Sequence, residues 1–143
     1  MAFDKNSISP LIFNVHLMLK WKVQEALKDF DITSEQWIIL GRLDKKSGEY
    51  NQKELAKDTN KEQASITRII DKLEKKGFVE RTRSEKDRRQ YIIHITDKGR
   101  AYYQSTLPNM REEEKAVDNL ITAKEKEELL RILQKMYDKL QKE

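Results

Sequence analysis

The chain has 143 residues, of which 38% are charged and 37% apolar, with a net charge of +4 and a pI near 9.1. That length suits one domain or two small lobes, and the apolar supply is thin for a compact monomer. There is no cysteine, which excludes disulfides, thiolate metal sites and thiol redox chemistry. No apolar run reaches about 18 residues, so no membrane-spanning helix is expected.

The basic excess is local. Residues 51–100 carry 14 Lys and Arg against 9 Asp and Glu, a net of +5, which leaves −1 for the rest of the chain. A concentrated positive charge of this kind suits a polyanion such as nucleic acid. The opening "MAFDKNSISP" lacks a basic region followed by an apolar stretch, so it does not read as a secretory signal, and a cytoplasmic location is expected. With only four Gly and two Pro, the chain reads as mainly helical.

The first helix is expected from about Ser9 to Asp29, with Ser9 as its cap and Pro10 in its first turn. Ile8, Leu11, Ile12, Val15, Leu19, Val23, Ala26 and Phe30 follow helical spacing. Phe13, Leu17, Met18 and Trp21 widen the apolar stripe beyond one face, so this helix needs cover on two sides. A second helix begins after Thr33, with Gln36 completing a capping box, and runs to about Lys45. The turn "KKSGEYN" follows, with a short strand expected at Glu49–Tyr50.

Asn51 caps a short third helix, Gln52 to Asp58. A fourth follows almost at once, with Asn60 as its expected cap and Gly77 as its stop. Phe78 to Arg83 and Tyr91 to Thr96 read as strands, joined by the seven-residue tip Ser84–Gln90, long enough to be mobile. Thr96 caps a fifth helix from Asp97 to Asp118, which Pro108 should kink or break. Thr122 and Glu125 form a capping box for a sixth, with a stripe through Leu129, Ile132, Leu133, Met136, Tyr137 and Leu140. The four Gly are assigned mainly to turns and helix ends.

Two helices joined by a tight turn and followed by a basic hairpin make a winged helix-turn-helix. On the fourth helix Ile66, Ile69, Ile70 and Leu73 share one face. Lys61, Ala64, Arg68, Asp71 and Lys75 lie opposite, Lys72 just beyond, and Ser65 and Thr67 on the flanks. Such a face suits the major groove: Ala64 against a thymine methyl, Arg68 on guanine or a phosphate, Ser65 and Thr67 on bases or phosphates. Asp71 is an awkward neighbour for DNA, and Arg68 and Lys75 stand close enough in sequence to neutralise it. The tip residues Lys86, Asp87, Arg88 and Arg89 can reach an adjacent minor groove, with Arg81 and Arg83 flanking the backbone.

The segment "ITRIIDKLEKKGFVERTRSEKDRRQYIIHITDKG", residues 66–99, resembles the multiple-antibiotic-resistance regulator (MarR) family of bacterial transcription factors. The family pattern has Thr-Arg in the recognition helix, matched by Thr67–Arg68. Next comes Leu-Glu-x-x-Gly-hydrophobic-Val-x-Arg, matched by Leu73–Arg81, then a wing matched around Asp87–Arg89, and a strand ending in the Thr-x-x-Gly of Ile95–Gly99. "QKELAKDTN" is similar to the preceding helix. The wing departs from the pattern, with Ser84 where Asp is common and Lys86 where Arg is common. Arg89 is taken as the groove residue and Arg88 as its support through Asp87.

The wide apolar stripes of the end helices suit a homodimer, with an ordinary intrachain helix bundle as the alternative, and the resemblance implies the dimer too. Residues 1–30 and 100–143 would form a helical dimerisation lobe and residues 31–99 a DNA-binding lobe. Two recognition helices would then lie about 34 Å apart over a pseudo-palindromic duplex operator. It also implies a repressor released by a small aromatic or phenolic ligand, with His16, Met18, Trp21 and Trp37 as candidate lining residues. Each of these four is also an ordinary core residue by type.

His94 should face solvent, and two distant His make no metal site. No cofactor is expected. The chain has no Gly-rich phosphate loop, nucleophile elbow or His-Glu-x-x-His, so an enzyme is not expected. The reading from another class is a winged helix whose basic face docks a protein. Sequence-blind architectural DNA binding is a third. Salt-dependent, sequence-selective duplex binding separates them.

Overall fold

The computed structural model describes residues 4, 6–46 and 49–142. Among these are six helices and two strands in the order α1 (Ile8–Ala26), α2 (Ser34–Lys45), α3 (Gln52–Asp58), α4 (Gln63–Lys75), β1 (Val79–Arg83), β2 (Tyr91–Ile95), α5 (Asp97–Asp118) and α6 (Ala123–Gln141). The fold is mainly helical with a two-stranded wing. No helix among the described residues is long and apolar enough to cross a membrane.

Side-chain caps set most helix starts. Thr33, Asn51, Thr96 and Thr122 each accept a backbone N–H from the third helical residue, and α2 and α6 carry complete capping boxes. Two other caps differ from expectation. The chain enters α1 at Ser7, not Ser9, with no side-chain cap bond, and α1 ends at Ala26, short of Asp29. It ends early because Leu27 leaves helical geometry and Phe30 N–H closes a turn onto Leu27 C=O at 2.9 Å. That turn brings Phe30 edge-on against Tyr102.

Asn60 does not cap α4. It adopts φ +53°, ending α3 in a left-handed turn in which Lys61 N–H reaches back to Ala56 C=O at 2.9 Å. Glu62 takes the cap position instead, without a side-chain bond. No strand forms at Glu49–Tyr50. Asn51 makes a single bridge to Ile92, and Ile93 N–H donates to Tyr50 C=O at 2.8 Å. Ser47 and Gly48 of the same turn lie outside the described residues. Tyr50 is buried there and its hydroxyl donates to Asp58, which ties the root of the wing to the end of α3.

Pro108 does not break α5, which runs through it. A proline removes the N–H that would bond four residues back and crowds the preceding turn. Here that bond would go to the C=O of Gln104, an exposed residue, so water can take its place. In the same turn Thr106 Oγ1 donates to Tyr103 C=O at 2.6 Å and Ser105 Oγ to Tyr102 C=O at 2.5 Å.

The core lies under α4. Ile66, Ile70 and Leu73 are fully buried against Ile39, Leu40 and Leu43 of α2, Leu55 of α3 and Val79 and Ile93 of the wing. At the end of α4, Gly77 N–H bonds Glu74 C=O and Phe78 N–H bonds Leu73 C=O, a Schellman motif with Gly77 at φ +78°. Thr96 then joins that end to α5: its hydroxyl donates to Gly77 C=O at 2.6 Å and accepts from Gly99 N–H at 3.0 Å, and its own N–H bonds Phe78 C=O. Antiparallel pairing runs from Val79↔Ile95 to Arg83↔Tyr91.

Two glycines serve close approach instead of turns. A Cβ on Gly41, inside α2, would stand 2.9 Å from the Tyr103 hydroxyl, and one on Gly99 would stand 2.1 Å from Phe78 C=O. The second obstacle is backbone and cannot swing aside.

The apolar surface of the two end helices stays uncovered. The residues expected to be covered on α1 include Phe13, Met18 and Trp21, each more than half exposed, and Ala26 alone of that helix is buried. No residue of α6 is buried. Replacing Gly99 by Ala is expected to lower unfolding stability by about 2 kcal/mol or more, the cost of overpacking against atoms that cannot move, read as a shifted urea midpoint at unchanged slope.

Candidate nucleic-acid interface

Burying the isoleucine face of α4 turns its opposite face outward. Ala64, Arg68 and Lys72 are exposed, with Ser65 half-buried beside them. Arg68 Nη2 lies 3.3 Å from Ser65 Oγ, which leaves the rest of its guanidinium free. Thr67 is committed elsewhere: its hydroxyl accepts from Gln52 Nε2 at 2.5 Å and donates to Gln63 C=O at 2.9 Å, pinning α3 to α4. Lys61, half-buried at the turn before α4, pairs with Glu35 of α2 at 3.6 Å.

Arg81 does not flank a free surface. Its side chain is only 18% exposed, and its Nη2 sits 2.6 Å from Asp71 Oδ1 and donates to Thr67 C=O at 3.2 Å. Asp71 is therefore neutralised from the wing by Arg81, not by Arg68 or Lys75 along the helix. The register explains this: Arg81 opposes the buried Ile93, on the sheet face turned towards α4.

The wing tip is knitted by its own side chains. Ser84 is buried, and its hydroxyl accepts from Lys86 N–H at 3.2 Å and Asp87 N–H at 3.3 Å. Arg83 donates from Nη1 to Arg88 C=O at 2.7 Å and from Nη2 to the Tyr91 hydroxyl at 3.2 Å, with its guanidinium over the Tyr91 ring. Asp87 takes Arg89, not Arg88: it accepts from Arg89 N–H at 3.0 Å and Arg89 Nε at 3.3 Å. Arg88 enters the network through its carbonyl alone, so its side chain gives Arg89 no support through Asp87. The Arg89 side chain remains 91% exposed, projecting with Lys86 and Arg88.

The four candidate ligand residues are not brought together. His16 lines a cleft of 510 Å³ between α1, α2 and the α3–α4 turn, floored by Leu19, Val23 and Ile38 and edged by Lys20, Glu35 and Lys61. Trp37 lines a separate groove of 310 Å³ against α5. Its indole donates to Thr106 Oγ1 at 2.8 Å and packs on Tyr103. Met18 and Trp21 are exposed and line neither space. His94 is exposed beside Thr82, as expected.

Sequence reasoning missed Glu35, Gln52 and Tyr91. The first two act through partners distant in sequence. Tyr91 was accessible, because residues flanking a symmetric hairpin tip face each other and Arg83 is its counterpart.

The sequence model of the MarR family matches residues 32–91, a span that holds α2, the helix-turn-helix and the whole wing tip. Over that span the chain is MarR-like. The match supports a DNA-binding transcriptional regulator of the MarR type. Solved relatives share the whole architecture. MepR of S. aureus in complex with DNA is 25% identical, covers 94% of this chain and 99% of its own, and superposes with a TM-score of 0.83. A mutant MarR from E. coli complexed with operator DNA is 26% identical over 89% of this chain and 91% of its own, with a TM-score of 0.82. BpsR of Bordetella bronchiseptica, 20% identical over 96% and 98% with a TM-score of 0.85, is alike in fold.

In this wing the Asp87 carboxyl is held below its usual 3.8, first by the Arg89 N–H and then by the Arg89 side chain. The ionised carboxylate therefore orders the tip at neutral pH, and its hold is lost as pH falls through the depressed value. The Arg89 amide resonance is expected to titrate with a midpoint below 3.8, and Asp87→Asn should abolish that transition in a two-dimensional NMR series.

Proposed function

We infer that the protein works as a homodimeric repressor on a pseudo-palindromic operator, released by a small aromatic or phenolic ligand. The observation that carries this reading is α6, which holds an apolar stripe and buries none of it. Leu129, Leu130, Ile132, Leu133, Tyr137 and Leu140 on α6, with Leu11, Phe13, Met18 and Trp21 on α1, form more exposed apolar surface than a lone regulator tolerates. A second copy related by two-fold symmetry covers such a face with itself. In this arrangement residues 1–30 and 100–143 make the dimerisation lobe, and residues 31–99 carry the DNA contacts.

On the duplex, α4 enters the major groove. Arg68 is the base- or phosphate-reading residue, and Ala64, Ser65 and Lys72 lie alongside. Thr67 and Lys61 hold the helix in place more than they read bases. From the wing, Arg89 enters the minor groove, Lys86 and Arg88 meet phosphates, Asp87 orients Arg89, and Arg83 braces the tip through Tyr91. The DNA-bound relatives support the groove assignment through the same helix-turn-helix and wing.

The ligand fits best in the cleft beside His16, because its apolar floor meets two lysines already sharing one carboxylate. Lys61 lies 3.6 Å and Lys20 3.9 Å from Glu35. An acidic aromatic guest would compete with Glu35 for Lys61, one residue from the Glu62 cap of α4, and so shift the recognition helix.

Fluorescence anisotropy with the intergenic DNA beside the protein's own gene tests this reading against a random duplex of equal length. Arg68→Ala and Arg89→Ala are each expected to weaken operator binding by about tenfold or more, the loss of one good base or groove contact. Full retention by both contradicts the groove assignment. Leu133→Asp on α6 is expected to sediment as a monomer and to lose operator binding while keeping its helical circular dichroism.

A further inference from the structure

Asp71 lies on the outward face of α4, and it sits among groups that approach phosphates. The neighbouring wing answers it. A single guanidinium, that of Arg81, reaches three points on α4 spaced a turn apart: Thr67 C=O at 3.2 Å, Asp71 Oδ1 at 2.6 Å and Glu74 Oε1 at 3.8 Å. Residues at such spacing line one side of a helix. The Arg81 Nε is enclosed without a protein acceptor, so the side chain is turned into the protein and not towards solvent. Glu80 and Thr82, its neighbours on β1, face outward.

The geometry points to Arg81 as a positioning residue: it fixes the angle between the wing and the recognition helix, and Asp71 is retained on the DNA-facing side as its anchor. The proposal rests on the reading that α4 and the wing tip enter adjacent grooves. For both to engage at once their relative orientation must be set before DNA arrives, since ordering it on binding would cost affinity. A planar fork with several donors can set an angle where a lysine would supply only a charge. Within the wing, Arg83 and Ser84 hold the tip to itself, and Arg81 is the polar link from β1 to the outer half of α4.

This assignment predicts a sign opposite to simple electrostatics. Removing a negative charge from a DNA-facing helix should tighten binding if charge alone matters. Under the positioning role, Asp71→Asn instead weakens it, because Arg81 loses its closest anchor. The experiment compares wild type, Asp71→Asn, Arg81→Met and the double variant for binding to the intergenic duplex over a range of salt. Amide hydrogen exchange of the wing strands is measured on the same proteins without DNA.

Asp71→Asn and Arg81→Met are each expected to lose about tenfold in affinity, with the double variant no weaker than Arg81→Met, as for two residues in one network. Wing-strand amides in both single variants should exchange faster, and the salt slope should stay as in wild type. Tighter binding by Asp71→Asn overturns the proposal. So do additive losses, or a slope reduced by about one in Arg81→Met, the mark of a lost phosphate contact. If Arg81→Met does not fold, Asp71→Asn alone decides by its sign. Wild-type protein that binds no duplex sinks the DNA reading itself. In that case the exchange data still judge Arg81: unchanged wing protection in Asp71→Asn overturns its role, and faster exchange upholds it.

Discussion

Ile66, Ile69, Ile70 and Leu73 lie on one side of α4, and their burial against α2, α3 and the wing orients the face proposed to meet DNA. Each contributes about 1.5–3 kcal/mol by leaving water, so the helix has one stable rotation about its axis. That rotation presents Ala64, Arg68 and Lys72 outward. The chain then leaves α4 through the left-handed Gly77 directly into β1, and Thr96 bonds the same corner from the start of α5. The wing therefore takes its place from the end of the recognition helix and not from an independent domain. Its tip is ordered locally by Ser84, Asp87 and Arg83, and its angle by Arg81.

The remaining helices stand in a different energetic position. The end of α1 and the first half of α5 pack on the core through Leu27, Phe30 and Tyr103, but the outer lengths of α1 and all of α6 carry apolar side chains into solvent. In the proposed dimer this surface supplies the association energy, and the distance between the two copies of α4 becomes a property of the helical lobe. A ligand that pries Glu35 from Lys61 would act on the short path between that lobe and the first turn of α4. Lys76 marks a second path, donating to Asp31 C=O at 2.5 Å and so clamping the α1–α2 loop to the last turn of α4.

Features governed by neighbours in sequence were legible without coordinates. The caps at Thr33, Asn51, Thr96 and Thr122 depend on a side chain and an N–H three residues on. The stop at Gly77 depends on one residue's freedom, and the buried face of α4 follows from its spacing. Features governed by tertiary contact were not. Asn60 reads as a cap by type, yet the tight approach of α4 to α3 puts it in the left-handed region. Arg81 reads as a phosphate ligand by charge, yet strand alternation turns it inward to Asp71. Pro108 reads as a break, yet the carbonyl it orphans belongs to Gln104, which is exposed, so the lost bond can go to water. Gly99 matches a family position by pattern, and only the 2.1 Å approach of Phe78 C=O gives the physical reason for it. At the candidate ligand site, residue type grouped four side chains that the fold scatters over two spaces and an open helix face.

Hydroxyl-radical footprinting of the protein on the intergenic duplex beside its gene is the most direct measurement of the central claim, that a symmetric pair of rigid helix-and-wing units grips adjacent grooves. The account predicts two protected half-sites related by a dyad, with centres about 10 base pairs apart, each flanked by a protected stretch of minor groove. A single protected half-site, or uniform protection without a dyad, would contradict it.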